Sequence, residues 1–94
     1  MNDTQTVVCR READLSGARL SYCLTESTVS DGDSVRSSYS VTVEYSSRDG
    51  KSTDTANDLT SLRPVAIRYF GMIADGLVTP LTLLEVAEDL ISSN

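Results

Sequence analysis

The chain has no histidine and no tryptophan, and only two of its 94 residues are cysteine. Without histidine, the sequence excludes imidazole metal ligands, serine–histidine or cysteine–histidine nucleophile pairs, and the usual general base near neutral pH. It also lacks a glycine-rich phosphate loop and any cluster with metal-ligand spacing. We therefore predict no catalytic residue, no cofactor and no metal site, and we expect a protein that is not an enzyme.

Basic residues are also scarce: 8 lysines and arginines face 14 acidic residues, so the net charge is −6. This balance opposes binding to phosphate backbones and to anionic membrane surfaces. No segment approaches the roughly 20 consecutive apolar residues of a membrane-spanning helix, and the first residues lack the pattern of a signal peptide. We expect a cytoplasmic protein that binds neither nucleic acid nor membranes.

What is present is an alternation of apolar and polar residues, clearest between Val35 and Tyr45. In an extended strand this alternation produces one apolar side and one polar side. Segments 4–12 and 19–28 have related patterns. Segment 52–59 is mostly serine, threonine and aspartate, which suits an edge strand. Together they predict a four-stranded antiparallel sheet with one buried face.

The two cysteines are the sharpest local feature of the first predicted hairpin. A three-residue loop at 15–17, with Gly17 as the left-handed residue, would place Cys9 directly opposite Cys23. The Cα separation in such a pair is one that a disulfide can span, so Cys9 and Cys23 form a possible redox pair. The alternative is two small, half-buried thiols that stay reduced in the cytosol.

The other two turns set the remaining registers. Asp31-Gly32 predicts a two-residue hairpin loop that pairs Leu24 with Tyr39. The third turn, around residues 48–51, leaves two registers open. A two-residue loop would bury Ala56, whereas a three-residue loop would bury Leu59.

From residue 61 onward the apolar period changes to that of a helix. Ser61 is predicted to cap the first helix and Gly76 to end it. The second helix is predicted to start at Thr82, where Glu85 three residues later completes a capping box. The first helix presents one apolar stripe toward the sheet: Leu62, Val65, Ala66, Tyr69 and Ile73.

The first helix also carries a second apolar set, formed by Ile67, Phe70 and Ala74. One stripe is enough to cover a four-stranded sheet, so the second set is a possible partner contact for a homodimer or another protein. The alternative is that these three residues pack against the final helix.

These elements predict a single domain over residues 1–94 with an α+β fold: a four-stranded antiparallel β-meander with two C-terminal α-helices packed on one face. The leading hypothesis for its function is a small non-enzymatic protein-interaction or regulatory module. The alternative is a small enzyme or ligand-binding protein with a pocket between sheet and helices, lined by Tyr22, Tyr39 or Tyr45.

Three segments carry a resemblance to a known family: residues 20–27 (Leu-Ser-Tyr-Cys-Leu-Thr-Glu-Ser), residues 74–83 (Ala-Asp-Gly-Leu-Val-Thr-Pro-Leu-Thr-Leu) and residues 88–90 (Glu-Asp-Leu). On these segments the chain resembles a family of small uncharacterised bacterial proteins, a domain of unknown function. The resemblance covers nearly the whole chain and implies a bacterial cytoplasmic origin. It assigns no activity, so it transfers no functional residue.

Overall fold

A computed structural model describes residues 5–92. The four strands form one antiparallel sheet in the order β1-β2-β3-β4, and two helices follow them, so the predicted α+β meander is confirmed. The elements are β1 (Gln5–Leu15), β2 (Ala18–Asp31), β3 (Ser34–Ser47), β4 (Gly50–Thr60), α1 (Arg63–Asp75) and α2 (Leu83–Ser92).

The apolar alternation places one side of β2 and β3 in the core, as predicted. Leu24 of β2 pairs with Val41 of β3, and both side chains are fully buried. The predicted partner, Tyr39, was wrong by two residues, because the hairpin loop is Gly32–Asp33 with Gly32 in the left-handed region at φ +64°. A shift of two residues leaves every side chain on its predicted face.

The first hairpin has a two-residue loop, Ser16–Gly17, and not the predicted three-residue loop. Cys9 consequently pairs with Leu24, while Cys23 pairs with Arg10. The predicted direct opposition of the two cysteines is therefore wrong. The extra residue lies in β1 itself, where the register shifts between residues 7 and 9, so that β1 has the predicted register only before this bulge.

The edge strand β4 contains the second irregularity of the sheet. The turn is the two-residue alternative, and Ala56 is buried opposite Val41. Between Ala56 and Thr60 the register shifts again, and Asp58 adopts a left-handed backbone at φ +53°. This bulge also turns Leu59 into the core, so both residues left open by the sequence are buried.

A polar cluster holds the bulge in place. Arg36 donates two hydrogen bonds to the Asp58 carboxylate at 3.0 and 3.1 Å, and the Ser38 hydroxyl donates a third at 2.9 Å. The Asp58 backbone N–H donates to the Ser40 hydroxyl at 3.1 Å. The bonds from Arg36 and Ser38 hold the pKa of Asp58 below its usual value. Asp is one of the few L-residues that adopt this left-handed conformation, and the hydrogen bonds hold it there.

Helix α1 begins one residue later than predicted. Its N-cap is Leu62, which makes no side-chain capping bond, so the predicted Ser61 cap is wrong. At its end, Gly76 is the C-cap but has φ −82°, and Leu77 takes the left-handed conformation at φ +53°. The Val78 N–H bonds to the Ile73 carbonyl, the pattern of a Schellman motif.

Both helices pack on the apolar face of the sheet. Helix α2 starts directly after Thr82, as predicted, and buries Leu83 and Ala87. The Tyr22 hydroxyl on β2 donates a hydrogen bond to the Val78 carbonyl at 2.9 Å, which ties the sheet to the segment between the helices. The opposite face of the sheet carries residues such as Cys23 and Thr42, and no helix within residues 5–92 packs on it.

Candidate functional site

The predicted partner contact on α1 is mostly inside the protein. Phe70 and Ala74 are 3% and 4% exposed and belong to the same core cluster as Leu83 and Ala87 of α2. Only Ile67, at 43% exposure, reaches the surface. The prediction of an exposed patch is therefore wrong for Phe70 and Ala74, which pack in the core beside residues of the final helix.

A different set of apolar residues is exposed on the helical layer. Among the described residues, nine large apolar side chains are exposed, and only Val7 and Val35 of these lie on strands. The remaining seven form what we call the helical surface: Leu62, Ile67, Met72, Leu77, Leu81, Leu84 and Ile91. Leu81, in the turn before α2, is 92% exposed, and Leu84, three residues later in α2, is 52% exposed.

The charge beside the helical surface has one sign on α2. This helix carries Glu85, Glu88 and Asp89 and no basic residue. On α1, the Asp75 carboxylate forms an ion pair with the Arg11 guanidinium of β1, with 2.8 Å between oxygen and nitrogen. The apolar side chains of α2 therefore have an acidic border.

The open face of the sheet contains a shallow depression of about 230 Å³, which we call the sheet depression. Short side chains of β2 and β3 form its floor, and longer charged side chains of β1 and β3 form its rim. The lining residues are Arg10, Glu12, Ser21, Tyr22, Cys23, Thr42 and Glu44.

Two of the three charged groups at this rim are already paired. Arg19 lies 3.7 Å from the Glu12 carboxylate, and Lys51 lies 3.5 Å from that of Glu44. Within residues 5–92, the Arg10 guanidinium has no hydrogen-bond or ion-pair partner. The depression therefore has one guanidinium without a partner within residues 5–92, that of Arg10, beside the carboxylates of Glu12 and Glu44, which their ion pairs partly neutralise.

The two cysteines lie on opposite faces of the sheet. Cys9 shares the core side with Leu24 and packs against the core, whereas Cys23 lies on the open face between Arg10 and Thr42. Both thiols are free. The arrangement that would make them a redox pair within one chain required the register that the first hairpin does not have.

The tyrosines of the alternative hypothesis are mainly core residues. Tyr22 and Tyr39 are 1% and 3% exposed, and Tyr45 is partly buried. Burial raises the pKa of Tyr22, and the nearby Arg11 lowers it by a smaller amount. Its hydroxyl is already bonded to the Val78 carbonyl. Tyr45 borders a second, more open cavity of about 240 Å³ at the β3–β4 turn.

Sequence reasoning placed only Ile67 of the helical surface in a possible partner contact, and it did not predict the sheet depression. The apolar set of α2 includes Leu83, Leu84, Val86 and Ile91, a range of directions too wide for one sheet to cover, which could have indicated that some stay exposed. No sequence pattern could have placed Arg10 on the open face, because its position there depends on the bulge in β1.

The acidic side chains, cysteines and helices of residues 5–92 bear on metal binding and on membranes. No three side chains of histidine, cysteine, aspartate or glutamate in this range come close enough together to hold a metal ion. No helix in the same range has the length and hydropathy needed to cross a membrane.

Comparison with protein families shows that residues 4–93 match the model of one family, described as "Family of unknown function (DUF6514)". The match covers nearly the whole chain. No curated protein and no solved structure matches the chain.

Proposed function

Because the chain belongs to this family of unknown function, DUF6514, we propose a function from its surfaces alone: it is a non-enzymatic interaction module that docks a protein partner through the helical surface. One observation carries the proposal. Seven of the nine exposed large apolar side chains among residues 5–92 lie in the helical layer, the remainder being Val7 and Val35.

The physical argument begins with the cost of exposed apolar area. Each Å² of apolar surface removed from water contributes about 25 cal/mol, so exposed leucines and methionines gain free energy when a partner covers them. Scattered single residues need no explanation, so the proposal rests on how many of the exposed apolar side chains lie in this one layer. Leu81 is the clearest member, since almost its whole side chain is exposed.

The charge of α2 favours a different protein over a second copy of this chain. In a symmetric dimer built on α2, Glu85 and Glu88 would approach the same residues of the partner, and like charges at an interface oppose association. We propose a partner whose apolar patch is bordered by basic residues.

The test is affinity capture of the tagged chain from its source cell, comparing the wild type with the double variant Leu81→Ser/Leu84→Ser. We expect the wild type to retain a specific protein and the double variant to retain it at least tenfold less, a difference of about 1.4 kcal/mol. Sedimentation of the purified chain is expected to give the mass of a monomer, 10.2 kDa.

Val35→Ser is the matched control, because Val35 is 68% exposed but lies near the β2–β3 turn and outside the helical layer. It should leave capture unchanged. Equal capture by all three proteins would contradict the proposal. A dimer that Leu81→Ser/Leu84→Ser dissociates would keep the surface but contradict the choice of partner.

A further inference from the structure

The sheet depression lies on the face opposite the helices, so it is a separate surface from the one proposed for docking. Arg10, Cys23 and Thr42 occupy one row across β1, β2 and β3. The neighbouring row is Glu12, Ser21 and Glu44. With strands about 4.8 Å apart, the backbones of β1 and β3 are roughly 10 Å apart across the depression.

The floor between these strands is polar. Ser21 and Thr42 provide hydroxyl groups, of which that of Thr42 already shares a hydrogen bond with the Thr55 hydroxyl at 2.9 Å, and Cys23 provides a thiol. The short side chains of the floor leave room for a molecule of a few heavy atoms, within a volume of about 230 Å³.

The charges at the rim limit which molecule fits. A simple anion attracted to Arg10 would also face Glu12 and Glu44, while a simple cation attracted to the glutamates would face Arg10. A metal ion has no set of three ligands among residues 5–92. A molecule with both charges satisfies both sides of the rim.

We propose that the sheet depression binds a small zwitterion of the amino-acid type. Its carboxylate accepts hydrogen bonds from the Arg10 guanidinium, whose planar donors match a carboxylate. Its ammonium group donates to Glu12 or Glu44, whose carboxylates Arg19 and Lys51 neutralise only partly at 3.7 and 3.5 Å, and the Ser21 hydroxyl completes the contacts. This inference does not depend on the docking proposal, because no residue belongs to both surfaces.

The test is an NMR titration of the ¹⁵N-labelled chain with two zwitterions, glycine and γ-aminobutyrate, and with two single-charge analogues, acetate and methylammonium. We expect saturable shifts of the amide signals of Arg10, Cys23 and Glu44 with at least one zwitterion below about 10 mM. Neither analogue should saturate in that range. The bound zwitterion should also slow alkylation of Cys23 by iodoacetamide.

Arg10→Gln should weaken zwitterion binding about tenfold, as expected for the loss of one charged contact. Arg48→Gln, in the exposed β3–β4 turn, removes the same charge away from the depression and should leave binding unchanged. No saturation by either zwitterion, or equal saturation by acetate alone, would overturn the proposal, and both results come from the wild-type chain. Equal weakening by the two variants would also overturn it, because the effect would then be one of net charge.

Discussion

Tyr22 connects the two layers of the protein through a single side chain. Its ring is 1% exposed in the core, and its hydroxyl donates to the Val78 carbonyl at 2.9 Å. Val78 lies between the two helices, 56 residues farther along the chain. The hydroxyl therefore satisfies a carbonyl that no regular helical bond uses at the end of α1.

Replacing this residue, Tyr22→Phe, should lower the free energy of unfolding at pH 7 by about 1–2 kcal/mol. The ring stays buried, but the Val78 carbonyl loses its partner in a partly buried position. Urea unfolding followed by circular dichroism measures the difference. An unchanged midpoint would mean that water replaces the hydroxyl without cost.

The same substitution should alter the response to alkaline pH. Burial raises the folded-state pKa of Tyr22 above its unfolded value near 10, so its contribution is complete below pH 10 and is lost as pH rises through the folded pKa. The wild type should accordingly lose more stability than Tyr22→Phe as the pH rises above about 10. Identical losses in the two proteins would contradict this explanation.

At the residue scale, the sequence predicted which face a side chain takes better than which partner it meets. Alternation alone puts Tyr22 and Leu24 on the apolar face. The bond from Tyr22 to Val78 depends on how the helices pack, which no local pattern records. The two cysteines were misplaced because a one-residue error in a loop exchanges the faces of a strand.

Among the elements, α1 ends in a way that its sequence does not favour. Glycine is usual at the left-handed position of a Schellman motif, but here that position holds Leu77, and the glycine stands one residue earlier. A left-handed conformation costs an L-residue roughly 1–2 kcal/mol. The end of α1 is thus a place where stability can be gained.

Leu77→Gly should raise the free energy of unfolding by about 1 kcal/mol relative to Leu77→Ala. Alanine removes the same exposed side chain but keeps the left-handed strain, so the comparison isolates the backbone. Thermal and urea unfolding of both variants measure the difference. If alanine were equal to or better than glycine, Leu77 would not be left-handed in solution.

Bulges explain why the sheet was predicted in outline but not in register. The extra residue in β1 was assigned to the hairpin loop, since a longer loop and a bulge have the same effect on the residues beyond them. In β4, the bulge at Asp58 allows Ala56 and Leu59 both to face the core. A strict period of two could accommodate only one of them.

For the whole molecule, the sequence predicted a sheet with one buried face, and the structure has that arrangement. The candidate surfaces were less predictable. Phe70 and Ala74 were a possible partner contact because a single helix stripe suffices for the sheet, with packing against the final helix as the alternative. Both join the core cluster that also contains α2 residues. The exposed apolar residues are instead ones such as Leu81 and Leu84, whose positions depend on the course of the chain between the helices.

One-sided burial is the claim on which both proposed surfaces depend, and two adjacent residues of the central strand β2 test it. Leu24 is fully buried on the helical side, and Cys23 is partly exposed on the open side. Leu24→Ala should lower the free energy of unfolding by about 3 kcal/mol, whereas Cys23→Ala should lower it by less than about 1 kcal/mol. Equal losses in urea unfolding, or a larger loss for Cys23→Ala, would contradict a sheet that is covered on one face and open on the other.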